Sequence, residues 1–260
     1  MEKGRKGLVL IVHGMGEYGG RYAHVAEYFA GLGFESAAID QRGFGQSGGA
    51  RGCVRRFSDF HRDLGALHGL FYRRENGLPV FLLGHSFGGL VSASYAAFCE
   101  HPPLKGLILS SPFFGIAARV PLWRNLLAAI TARVWPNFTQ PTSIDYLKLT
   151  HDRGMLEKYK DDPYIYHRIS AGFYIELTRM FRRQAEMAQK LRVPLLVLQA
   201  GDDALVRKDK ALLFYEEAAS PDKELEVYEG FYHEILNETG RRRVLDRIGA
   251  WTLTHLPVKG

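Results

Sequence analysis

The stretch "VFLLGHSFGGLVSASYAAFC" (80–99) constrains this chain more than any other. Val80 to Leu83 read as a short buried strand, and Leu90 to Cys99 as a helix rich in small residues. Between them the backbone must pass from extended to helical within Gly84-His85-Ser86-Phe87-Gly88. A G-x-S-x-G corner of this kind strains the backbone so that the serine hydroxyl projects, and its glycines stand where side chains would clash. The pentapeptide alone also arises by chance, so the rest of the chain has to supply the context.

That context is an alternation. "LVLIV" (8–12) reads as a first strand, residues 20–32 carry Tyr22, Val25, Ala26, Phe29 and Leu32 at helical spacing, and "FESAAID" (34–40) reads as a second strand. After a Gly-rich loop, Ser58 is placed to cap a helix carrying Phe60, Leu64, Leu67 and Phe71, stopped near Asn76-Gly77. "VFLLGH" is the third strand, "LKGLILSS" (104–111) the fourth, "PLLVLQAG" (194–201) the fifth and "ELEVYEG" (224–230) the sixth. Helices are expected over 208–219 and 239–255. Strands alternating with helices predict an α/β fold with a mainly parallel sheet of about six strands and helices on both faces. The rhythm breaks between 112 and 193, where no clean strand is legible. "RVPLWRNLLAAITARVWP" carries an apolar stripe there, and "AGFYIELTRMFRRQAEMAQKL" reads as one further helix. The expected organisation is a core of residues 1–111 and 194–260, with 112–193 inserted as a helical cap.

In an open parallel sheet, sites form at the carboxyl ends of the strands, where Ser86 stands. A serine hydroxyl needs a general base within hydrogen-bond reach. After the sixth strand "YEGFYHEIL" puts His233 in a loop, and after the fifth "LQAGDDALV" puts Asp202 and Asp203 in another. The order Ser, Asp, His at successive strand ends is that of an α/β hydrolase, where the acid fixes the histidine tautomer. Asp203 is the preferred acid because Val206, three residues on, can pack its loop down; Asp202 is the fallback. The backbone N–H groups of Phe87 and of Met15, in the turn after the first strand, are the expected oxyanion donors.

Composition closes other routes. With 46% hydrophobic and 24% charged residues in 260, the chain has the make-up of an ordinary globular protein. Its formal charge of +6 is not gathered into a nucleic-acid-binding arm, and no aromatic-basic alternation suggests base stacking. Two cysteines, Cys53 and Cys99, make no disulfide framework and point to reduced thiols in a cytoplasmic setting. The first apolar run is too short for a signal segment, and none reaches the length of a membrane span. Gly43, Gly45 and Gly48 match G-x-G-x-x-G but lead into more loop rather than a helix. No H-E-x-x-H or other zinc spacing is present. A serine at 86 also departs from the carboxylate nucleophile of epoxide and haloalkane hydrolases.

"HGMGEYGGRYAHVAEYFAGLGF", "DQRGFGQSGG", "GHSFGG", "LQAGDDALV" and "YEGFYHEILNE" together resemble the monoacylglycerol lipase and lysophospholipase branch of the α/β hydrolases. The stretch "WPNF…DDPYIYHR" is also similar to that branch. The resemblance implies a triad of Ser86, Asp203 and His233, an oxyanion hole at Met15 and Phe87, and hydrolysis of a single-acyl lipid ester with no metal or organic cofactor. Glu17 and Arg21 match a stretch near the head-group end of the family's site, or form an ion pair that holds their loop. Trp123, Leu126 and Leu127 would line the acyl channel; the alternatives for that stripe are ordinary core packing or, with Arg119, Arg124 and Arg133 nearby, a seat on a membrane surface. The first strand begins at residue 8, so the leading antiparallel strands usual in the family are not expected. The alternatives are a broad carboxylesterase, a serine aminopeptidase-like hydrolase, and a catalytically silent ligand-binding member of the fold.

Overall fold

A computed structural model describes residues 5–75, 77–142 and 144–257. Six short strands form one sheet: β1 (Leu8–Val12), β2 (Glu35–Ile39), β3 (Val80–His85), β4 (Gly106–Ser110), β7 (Leu195–Ala200) and β8 (Lys223–Tyr228). Their order is β2-β1-β3-β4-β7-β8, and every pairing is parallel. The inner strands are apolar on both sides because helices cover both faces. Leu8, Leu10, Val12 and Leu82 face one cluster with α2 (Ser58–Arg74) and α3 (Phe87–Phe98). Val9, Ile11, Phe81 and Leu83 face the other, with α1 (Ala23–Gly31) and α9 (Arg241–Thr254). The chain leaves β1 toward β2 on one side and returns to β3 on the other. This reversal opens a crevice at the carboxyl ends of β1 and β3, where a parallel sheet places its ligands.

Three expectations are corrected. Phe57, not Ser58, is the N-cap residue of α2, and Ser58 is its first helical residue without a side-chain cap. The Phe57 amide instead donates to Glu176 Oε2 at 2.8 Å, so a tertiary partner replaces the local cap. The helix ends at Arg74 with Glu75 behind it, and Gly77 takes φ +75°; Asn76 lies outside the described residues. Second, the segment between β4 and β7 does contain strand: β5 (Thr139–Pro141) pairs antiparallel with β6 (Arg168–Ser170). Three-residue strands, one of them ending in proline, carry no readable period. Third, the long helix expected there is two. α6 (Ala171–Arg182) packs against α4 (Leu122–Val134), whereas α7 (Gln184–Lys190) packs against α3 and α8 (Lys208–Glu217), so the chain bends at Arg183 to serve both. A short helix, α5 (Arg153–Lys160), lies between the two small strands in sequence.

The segment is seated over the carboxyl ends of the strands. Its Tyr166 amide donates to Gly16 O at 2.8 Å, and the Ala117 and Arg207 amides donate to Leu205 O and Gly115 O on either side of the Ile116–Val206 bridge. Among the described residues no helix is long and apolar enough to cross a membrane.

Candidate active site

Ser86 sits between β3 and α3 at φ 52°, ψ −118°, a left-handed conformation that side-chain-bearing residues adopt only where the surroundings impose it. The glycines explain how. A Cβ at Gly88 would stand 2.1 Å from Val12 O, and one at Gly84 would stand 2.5 Å from Gly88 O. Strand β1, strand β3 and helix α3 therefore meet at backbone distance, and the serine between them is turned out of the corner. Its own carbonyl accepts from the amides of Gly89 at 2.9 Å and Phe113 at 2.9 Å, which fixes the turn from both sides.

His233 Nε2 lies 2.8 Å from Ser86 Oγ, and its Nδ1 lies 2.8 Å from Asp203 Oδ2. Asp203 rather than Asp202 makes this contact: the Asp203 carboxylate is buried, while Asp202 is exposed. The other oxygen of Asp203 accepts from the amides of Leu205 at 3.0 Å and Val206 at 2.9 Å. Gln199 Nε2 adds a contact at 3.3 Å to Oδ2. Burial acts to lower the basicity of His233, but the charge and hydrogen bond of Asp203 outweigh it and leave the imidazole raised above its ordinary value. Burial likewise acts to raise Asp203, and His233 and the two amides bring it below the usual carboxylate range. His85, beside Ser86 and 5.0 Å from His233 ring to ring, goes the other way: burial, then the charge of His233, push it down to about 4. Of the two imidazoles at the serine, His233 has a carboxylate hydrogen-bonded to it, whereas the charges of Glu17 and Glu234 act on His85 without offsetting its burial.

The two backbone N–H groups expected to receive an oxyanion are those of Phe87 and Met15. Phe87 opens α3, so its amide has no carbonyl one turn back. Met15 lies in the turn after β1, where the Gly14 amide is already engaged by Glu17 Oε1 at 2.5 Å. Neither the Phe87 nor the Met15 amide has an acceptor among the described residues. The Phe87 side chain is buried against Phe57, Phe60 and Phe173, while Met15 lines the cavity above Ser86.

Glu17 and Arg21 belong to a buried charge cluster. Arg21 pairs with Glu17 Oε2 and, through both terminal nitrogens, with Glu234 at 2.8 and 2.7 Å. Tyr22 donates to Glu17 at 2.7 Å, Asn237 donates to Glu234 at 2.8 Å, and the Arg21 guanidinium lies 4.9 Å above the Tyr159 ring. Burial opposes the charge of Glu234, yet Arg21 holds its carboxyl down at about 2. Glu17 and Glu234 reach the cavity wall; Arg21 lies behind them. The cluster was only half legible in sequence. Glu234 adjoins His233, but nothing local marked it or Tyr159 as partners of Arg21.

The cavity over Ser86 holds about 600 Å³. Its polar part is made by Gly14, Glu17, His85, Glu234 and Tyr159, and its apolar part by such residues as Phe113, Val120, Ile169 and Leu177. Trp123 and Leu127 line it as expected residues of α4, together with Arg124. Leu126 does not: it lies on the outer side of the same helix, 63% exposed. No residue of α4 is buried, so its stripe is not core packing.

Known proteins are similar to this chain over nearly its full length. The family model described as "Serine aminopeptidase, S33" matches residues 3–240. A monoacylglycerol lipase of Mycolicibacterium smegmatis is 32% identical, covering 96% of this chain and 89% of the relative. Phospholipase YtpA of Bacillus subtilis is 32% identical, covering 94% of each. Among solved structures, the monoacylglycerol lipase of Paleococcus ferrophilus superposes with a TM-score of 0.88 at 27% identity, covering 97% of this chain and 96% of that one. Matched by the family model over residues 3–240 and in structure over nearly its whole length, the chain belongs to the serine aminopeptidase S33 family of α/β hydrolases, in its monoacylglycerol lipase and lysophospholipase branch.

Proposed function

We propose that this chain hydrolyses the carboxylic ester of single-acyl lipids through an acyl-enzyme on Ser86. The observation that carries the reading is the unbroken line from Asp203 through His233 to Ser86 Oγ, opening into an apolar cavity large enough for one acyl chain. His233 takes the Ser86 proton as Oγ attacks the ester carbonyl. The carbonyl oxygen gains charge and meets the N–H groups of Phe87 and Met15; loss of one such donor is worth about 3 kcal/mol of barrier. His233 then protonates the leaving alcohol. A water, deprotonated by His233, attacks the acyl carbon, and the fatty acid leaves as Ser86 recovers its proton. Asp203 holds the imidazole with its proton on Nδ1 and stabilises the cation between steps.

The polar part of the cavity favours an uncharged head group. Within the buried cluster two carboxylates, Glu17 and Glu234, stand against one guanidinium, Arg21, which favours a polyol over a phosphodiester at that end, while Arg119 and Arg124 line other parts of the cavity. An aminopeptidase-like substrate would need a carboxylate free for its ammonium group, and Arg21 engages both. The outer side of α4 supports contact with a lipid surface. Leu122, Leu126 and Val134 are exposed there, with Arg133 exposed on the same helix and Arg119 and Arg124 exposed where they also line the cavity, all placed to meet anionic head groups. The test is hydrolysis of matched acyl chains presented as monoacylglycerol, lysophosphatidylcholine and p-nitrophenyl ester, with Ser86→Ala as control. Turnover of the monoacylglycerol in preference to the phospholipid is expected. Equal turnover of all three would reject the head-group reading, and activity surviving in Ser86→Ala would reject the mechanism.

A further inference from the structure

The loop that carries His233 has neither strand nor helix geometry, yet it must hold an imidazole to within hydrogen-bond distance of two partners on other loops. What holds the loop lies in the insertion. Glu238, five residues after His233 and 1% exposed, accepts four bonds. Its Oε1 accepts from the Tyr232 amide at 2.9 Å and from His151 Nδ1 at 2.9 Å. Its Oε2 accepts from the His151 amide at 3.2 Å and the Thr239 amide at 3.1 Å. Tyr232 immediately precedes His233, and its ring stacks on His151 at 3.8 Å. On the other flank, the Glu234 amide donates to Leu149 O at 2.7 Å, and Thr150 Oγ1 donates to Asn237 O at 3.0 Å. The same four insertion residues, 149–152, thus grip the loop before and after the histidine. They are fastened in turn by Asp152 Oδ2, which accepts from Arg241 Nη1 at 2.8 Å at the start of α9.

We propose that Glu238 is a positioning residue: it clasps the insertion segment Leu149–Asp152 to the His233 loop and thereby holds the imidazole in line between Ser86 and Asp203. The inference rests on the ester-hydrolase reading for its kinetic consequence but not for its geometry. A carboxylate suits the task because each of its oxygens accepts two of the four donors. A glutamine there would turn its own N–H groups toward two of them, leaving donors unpaired inside the protein. A loop slackened by even an ångström costs about a hundredfold in rate.

Glu238→Gln is therefore expected to lower kcat on a p-nitrophenyl ester by about 10- to 100-fold at nearly unchanged KM, per site titrated with a fluorophosphonate. Because that change also removes a charge, the pH readout comes from Thr150→Val, which removes the bond of Thr150 Oγ1 to Asn237 O and the one it accepts from the Asp152 amide, and alters no charge. The charged and titratable groups facing His233 all remain in that variant: Asp203, His85, Glu234, Glu17 and Arg21. A looser contact with Asp203 is expected to move the imidazole titration of His233, followed by NMR, to lower pH, and the acid limb of kcat with it. If both variants melt cooperatively and differ from wild type in Tm alone, with kcat per site and the His233 titration unchanged, the clasp is purely structural and the proposal is overturned. If Glu238→Gln does not fold, Thr150→Val and His151→Phe carry the same test, the latter through kcat. A wild-type protein that neither labels nor turns over esters would sink the hydrolase reading, while the NMR titration would still decide the clasp.

Discussion

Replacing Asp203 by asparagine probes the site with almost no change of shape. One carboxylate oxygen accepts from the amides of Leu205 and Val206, so the oxygen of asparagine must stay there. Its amide nitrogen then faces His233 Nδ1, 2.8 Å from the oxygen it replaces. An amide N–H donates, so His233 has to present a lone pair at Nδ1 and carry its proton on Nε2. That proton points at Ser86 Oγ, and the imidazole can no longer accept from the hydroxyl. Tautomer reversal of this kind lowers kcat by about 10⁴ in a serine protease triad, or about 5.5 kcal/mol of barrier. The pH dependence must change in a definite direction. In the wild type His233 is raised, so the neutral form needed as base appears only as pH climbs past a value above the ordinary 6.5 of imidazole. Without the charge of Asp203, burial dominates and the acid limb moves below 6.5. Stopped-flow turnover of a p-nitrophenyl ester between pH 5 and 9 (a range wide enough for both limbs, on the order of four units) reads both effects. Asp202→Asn, at an exposed side chain, is expected to stay near wild type. A kcat for Asp203→Asn within tenfold of wild type, or greater damage from Asp202→Asn, would refute the reasoning.

Other perturbations report on separate parts of the molecule. Gly88→Ala drives a methyl group to 2.1 Å from Val12 O, and a loss of about 3 kcal/mol or more is expected in urea melts. Arg21→Leu leaves Glu17 and Glu234 buried without their shared cation, and should cost about 3–5 kcal/mol by the same measurement. The paired change Leu122→Ser and Leu126→Ser strips the outer side of α4 without touching the cavity wall. It should weaken sedimentation with anionic vesicles by roughly 30-fold, about 2 kcal/mol of apolar burial, while p-nitrophenyl ester turnover is retained. Vesicle binding unchanged by that pair, or by loss of Arg119, Arg124 and Arg133, would remove the surface contact from the reading.

The strand-and-helix rhythm, the corner at Ser86 and the candidacy of His233 are decided by residues close together in the chain. A buried parallel strand such as Leu8–Val12 has to be a continuous apolar run, and a backbone that passes 2.1 Å from an imagined Cβ has to have glycine at that point. Features of that kind leave a local mark, so they can be read from the order of amino acids alone. The remainder depends on contacts between segments that are distant in sequence. Asp202 and Asp203 are neighbours of identical chemistry, and only the path of their loop sends one to His233 and the other to solvent. Trp123, Leu126 and Leu127 form one apolar stripe, and only the seat of α4 on α6 decides which of them face the cavity. The bend at Arg183, the β5–β6 pair and the ties from Leu149–Asp152 to the His233 loop likewise have no local signature, because each is a hydrogen bond or packing contact whose second partner lies elsewhere in the chain.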